Sequence, residues 1–91
     1  MADSDPIAIS QKVSDELFEG FSEYSPSAGY EDGRYEVVVN DPDGVRVPKR
    51  KLRRICRLTA GVVPKAERRE VLINDVNSPN EYEECDRLLP R

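Results

Sequence analysis

Between Pro48 and Leu58 the chain reads PKRKLRRICRL, and six of these eleven residues are basic. The spacing predicts a helix that starts at Pro48 and stops near Leu58, ahead of Gly61. A helix this charged can turn only one narrow strip inward: Leu52, Ile55 and Cys56, with Thr59 one turn on. Lys49, Arg50, Lys51, Arg53, Arg54 and Arg57 cover the rest of the cylinder, their aliphatic stems along apolar surface and their heads in water. Such an element can cover a core but cannot be enclosed by one. Its first turn is also basic, where the helix macrodipole favours anions, so a compensating anion is expected on the same chain or on a ligand.

The charge does not end with the helix. From Arg46 to Arg69 stand ten of the fourteen basic residues and a single acid, Glu67, whereas the other seventeen acids are spread over the remainder. A field of one sign on one face steers a partner of the other sign. The expected partner-binding residues are Lys49, Arg50, Arg53, Arg54 and Arg57, extended by Arg68 and Arg69.

Around this helix the other elements fall in order. Asp5-Pro6 opens a first helix, with Asp as the cap and Pro at a position whose amide has no helical partner. Ile9, Val13, Leu17 and Phe21 recur at every fourth residue to about Phe21, with Phe18 beside them. The segment SDELFEGFSEYS also interleaves acids with aromatics, as segments that dock in a hydrophobic groove do. Residues 22–33 mix Ser, Pro, Gly and acids without periodicity and read as a long flexible loop. Arg34 to Asn40 is β-branched and reads as a strand. Asp41-Pro42-Asp43-Gly44 reads as a turn and Val45-Arg46-Val47 as a returning strand, which together predict a hairpin over 34–47. After Pro64, Val71-Leu72-Ile73 reads as a short strand, although a helix from Pro64 fits the same residues. Ser78-Pro79-Asn80-Glu81 is a capping box that begins a last helix over about 79–89, with Tyr82, Cys85 and Leu88 or Leu89 inward.

The expectation is a single small α+β domain over residues 1–91: a three-stranded, largely antiparallel sheet under packed helices. Ninety-one residues close one core, and a chain with 37% apolar residues, two Phe and no Trp closes a modest one. Two cysteines are too few for a disulfide framework, so Cys56 and Cys85 are expected as reduced, buried thiols. No membrane span or secretory leader is legible, and a cytoplasmic location is expected.

Chemistry is constrained by what is missing. With no histidine the commonest general acid-base is absent, and neither a nucleophile elbow nor a phosphate-cradling glycine loop occurs. No enzyme activity, metal, cofactor or small-molecule substrate is expected. The leading expectation is a regulatory interaction module whose basic helix binds an acidic protein surface, including that of a second copy in a dimer. Nucleic-acid binding through the 46–69 stretch is the alternative, since several phosphates can be reached. Against it stand a sequence pI near 4.8 and the absence of aromatics in the basic stretch for stacking bases. A helix-turn-helix with its turn at Ala60-Gly61-Val62 would put Arg57, Glu67 and Glu70 where that motif needs small or apolar residues. A structural subunit of a larger assembly, such as a viral or phage one, is the third reading.

Overall fold

The computed structural model describes residues 5–64, 71–78 and 82–88. It is an α+β domain in which helices lie on one face of a four-stranded mixed sheet. Helix α1 (Pro6–Phe21) begins as expected, the Asp5 carboxylate accepting from the amide of Ile7 at 3.0 Å. It turns Ile9, Val13, Leu17 and Phe21 inward. Phe18 lies off this stripe, about 100° further round the helix than Leu17, and stays largely in water.

A 3-10 turn (Ser22–Tyr24) leads to strand β1 (Ser27–Glu31), which pairs antiparallel with β2 (Arg34–Val39). The 22–33 stretch is therefore not one long loop, and the hairpin is β1–β2 rather than 34–47. Its turn is Asp32-Gly33, both at positive φ (52° and 80°), the two-residue geometry whose twist matches that of the flanking strands. Alternation places Tyr35, Val37 and Val39 of β2 under the helices. Ala28 and Tyr30 of β1 stand opposite Val37 and Tyr35, and the two tyrosine rings meet edge to face at 4.8 Å.

The 41–44 turn forms, with Gly44 donating to the Asp41 carbonyl at 3.0 Å, but Val45 to Val47 do not return along β2. Strand β3 (Val71–Asp75) takes that place, running parallel to β2 with Tyr35 opposite Val71 and Val39 opposite Asp75. The amide of Val47 instead donates to Asp75 Oδ2 at 2.7 Å. The other oxygen of that carboxylate accepts from the amide of Asn77 at 3.1 Å, so a single buried side chain ties the 40–48 loop to the end of β3. Val71-Leu72-Ile73 is thus a strand, in a parallel pair that a largely antiparallel sheet did not anticipate.

Helix α2 (Lys49–Val62) crosses from β2 to β3. Leu52, Ile55, Cys56 and Thr59 form its inner strip as expected, but it runs through Gly61 instead of ending near Leu58. A side chain at Gly61 would meet nothing within 4 Å, so the glycine serves no close approach, and it weakens the helix by only ~1 kcal/mol. Continuing the helix half-buries Val62, and Val63, itself buried, closes the last turn by donating to the Thr59 carbonyl at 2.9 Å. No helix-turn-helix bend occurs at residues 60–62.

Beyond β3 the described chain holds β4 (Glu83–Glu84), antiparallel to β3, and one helical turn, α3 (Cys85–Leu88). The expected 79–89 helix is replaced over 82–84 by an exposed Tyr82 and this short strand; residues 79–81 and 89 lie outside the described residues. The sheet order is β1-β2-β3-β4. Cys56 and Cys85 are joined in a disulfide, with Cα atoms 5.4 Å apart, and are not the reduced thiols expected from their number. Each does fall on an apolar face, and that is why they meet: α2 and α3 turn those faces toward one another.

Candidate functional site

Helical geometry decides where the basic residues of α2 go. At 100° per residue Lys49, Arg53, Arg57, Arg50 and Arg54 fall within an arc of about 140°, opposite the buried strip, while Lys51 stands apart at its border. All five are exposed and Lys51 is half-buried. Lys49, Arg53 and Arg57 form one ridge at i, i+4 and i+8, and Arg50 and Arg54 a second beside it. Like charges at this spacing each cost a helix about 0.2–0.5 kcal/mol. The helix also starts without a side-chain cap and without an acid in its first turn. As an isolated element it is built against its own electrostatics.

The other described residues do little to relieve this. Among the described residues the one ion pair is Arg87 to Glu84, at 3.6 Å and exposed; none forms between a described carboxylate and Arg50, Arg53, Arg54 or Arg57. Among the described residues, no acid of residues 22–33 or 82–88 forms an ion pair with these four guanidinium groups. The basic side chains divide among neighbours instead. Arg50 lies near the buried Tyr24, whose phenol is pushed above its ordinary pKa of 10.0 by burial, then by Glu23 and Asp41, with Arg50 opposing the rise. Lys49 lines a depression of about 420 Å³ with Tyr82, Glu83, Glu84, Arg87 and Leu88.

Arg54 and Arg57 are placed differently. They form one wall of an open cleft of about 420 Å³ between α2 and the end of α1, with Leu58, Phe21 and Gly20 as the other lining residues. The guanidinium of Arg54 lies over the Phe21 ring, 5.7 Å from its centroid. The attraction between the cation and the ring face holds the group beside Phe21, and its N–H donors make no ion pair with a described carboxylate. The last turn of α1 carries no basic residue of its own, and Arg54 supplies the positive charge that the macrodipole favours there. No sequence signal predicts this pairing, because it depends on how the two helices cross.

Gly20 opens the cleft. A methyl group there would meet nothing within 4 Å, and the residue is helical, so Gly20→Ala is expected to stabilise the fold by about 0.5–1 kcal/mol through loss of unfolded-state freedom. Chemical denaturation reads this directly; a loss of stability would mean that the end of α1 is not helical as described.

Of the seven residues expected to bind a partner, the structure gathers Lys49, Arg50, Arg53, Arg54 and Arg57 on one surface; Arg68 and Arg69 lie outside the described residues. Among the described residues no helix is long and apolar enough to cross a membrane. No protein-family model, no curated protein and no solved structure matches the chain.

Proposed function

We propose that the chain is a non-enzymatic interaction module that binds an acidic protein surface through the exposed arc of α2. The observation that carries this reading is the set of Arg50, Arg53, Arg54 and Arg57, four guanidinium groups on one helix face that no described carboxylate neutralises. Retaining several like-charge pairs on one helix costs the free protein stability. An acidic partner would relieve that repulsion and gain charge-assisted hydrogen bonds, which Arg makes better than Lys to carboxylates. The lining of the Arg54–Arg57 cleft adds apolar contact to charge. The contact would form quickly and depend on ionic strength, as charge-steered associations do.

Phosphate is the other planar or tetrahedral anion that such a row can take. A helix of fourteen residues spans about 21 Å, enough for several phosphates of one strand, and this is the specific ground for nucleic acid as the second reading. A single experiment separates the two. Fluorescence anisotropy of a labelled polyglutamate peptide and of labelled single- and double-stranded oligonucleotides is measured at ~50 and ~200 mM salt, where phosphate contacts lose most of their affinity. The polyglutamate peptide is expected to bind at the lower salt and the Arg53→Glu, Arg54→Glu double variant to lose that binding while keeping its circular dichroism spectrum. Unchanged binding by the double variant would place the surface elsewhere. Tight oligonucleotide binding without peptide binding would reverse the order of the readings.

A further inference from the structure

The cleft at Arg54 and Arg57 has a counterpart on the same chain. Phe18 is the most exposed large apolar side chain among the described residues, at 65%, and with Ser14, Asp15, Glu19 and Pro26 it borders a shallow depression of about 500 Å³ on the far flank of α1. The two surfaces are opposite in the features that matter. One offers an aromatic ring flanked by two carboxylates; the other offers the half-buried Leu58, Gly20 and the edge of the buried Phe21, flanked by two guanidinium groups.

We propose that the cleft is the socket for a second copy of this chain, with Phe18 as the inserted side chain and Asp15 and Glu19 meeting Arg54 and Arg57. The contact cannot form within one molecule. On α1 Phe18 lies about 200° from Gly20 and about 60° from Phe21, and it lines the other depression and not this cleft, so its ring stands outside its own socket. Between copies the geometry places an aromatic anchor in a pocket rimmed by complementary charge, the arrangement that concentrates binding energy in a few residues. The contact is heterologous, since ring and socket are different surfaces. It closes into a small ring where the rotation allows and otherwise extends from copy to copy. The assembly would cover Arg54 and Arg57, so self-association and binding of another acidic protein would compete for the same groups.

Sedimentation equilibrium from ~20 µM to ~1 mM at ~50 mM salt tests this. The mass is expected to rise above the 10.3 kDa of one chain as concentration increases and to fall back when salt is raised. Phe18→Ala should weaken association by about 10-fold or more. Because Phe18 is exposed and lies away from the basic arc, the same variant should keep its stability and its binding of the polyglutamate peptide. That control separates failure of this contact from failure of the acidic-partner reading. Arg54→Glu alone and Glu19→Arg alone should each remain monomeric, and an equimolar mixture of the two should associate, because the unchanged anchor of the first fits the unchanged socket of the second and the two reversed surfaces also match. A constant mass of one chain up to ~1 mM, association that survives Phe18→Ala, or a mixture that fails to associate would each overturn the proposal.

Discussion

Replacing both cysteines, Cys56→Ala with Cys85→Ala, is expected to lower the stability of the domain by about 3–4 kcal/mol. The bond closes a loop of sequence separation 29, and the chain-entropy estimate for a loop of that length gives this magnitude. For a domain of this size each kcal/mol moves the melting midpoint by about 4–8 °C, so a fall of roughly 12–32 °C follows. The loss should be uneven. Strand β4 has two residues and α3 one turn, too little for either to persist on its own hydrogen bonds. Hydrogen exchange should therefore rise first over residues 82–88 while α1 and the β1–β2 hairpin keep their protection. Alkylation in denaturant checks the premise: no thiol should react before reduction and two after it. Two reactive thiols without reductant would show that the bond does not form. Disulfides persist mainly where the surroundings are oxidising, so this pair lends no support to the cytoplasmic location expected from the sequence.

Asp75→Ala is expected to cost about 2–4 kcal/mol, read as a lower denaturation midpoint at an unchanged slope. Asp75 is 5% exposed and its two oxygens accept from the amides of Val47 and Asn77. Removing the carboxylate leaves a buried N–H at Val47 without an acceptor, and an orphaned buried donor costs about 1–3 kcal/mol by itself. The conservative variant separates hydrogen bonding from packing. Asp75→Asn keeps the volume but has one acceptor oxygen, and its NH₂ group would face a second donor, so it should recover only part of the loss. Full recovery in Asp75→Asn would mean that shape, not the pair of hydrogen bonds, is what the loop requires. The variant bears on the interaction surface as well, because Val47 stands immediately before the first turn of α2.

The sequence was informative where side chains carry the pattern. Helix α1 is legible from Ile9, Val13, Leu17 and Phe21, and the inner strip of α2 from Leu52, Ile55, Cys56 and Thr59. Strand β1 was not, because Ser27, Gly29 and Glu31 face outward and only Ala28 and Tyr30 are half-buried. Its stability comes from backbone pairing with β2, which leaves little trace in composition. Asp32-Gly33 is a strong turn signal, but Asp41-Pro42-Asp43-Gly44 is as strong, and only β3, arriving alongside β2, decides between them. The exposed arc of α2 was legible because charge itself reported it. The Arg54–Phe21 contact, the disulfide and the Asp75 tie were not, since each joins groups whose distance is set by tertiary packing.

The parallel register of β2 and β3 has a consequence for how the chain reaches its structure. The hairpin at Asp32-Gly33 needs only neighbouring residues and can form on the microsecond scale. Tyr35 and Val71 stand 36 positions apart in sequence, and no turn can bring parallel strands together. Their pairing waits until the intervening segment, with α2 inside it, has closed as a loop. That closure must be met before the contacts that reward it are made, so the pairing of β2 with β3 is set by the connection and not by the strands. Before that closure the like charges of α2 repel without the sheet beneath them, and the step that seats α2 on the sheet is also the step that assembles the face it presents to a partner.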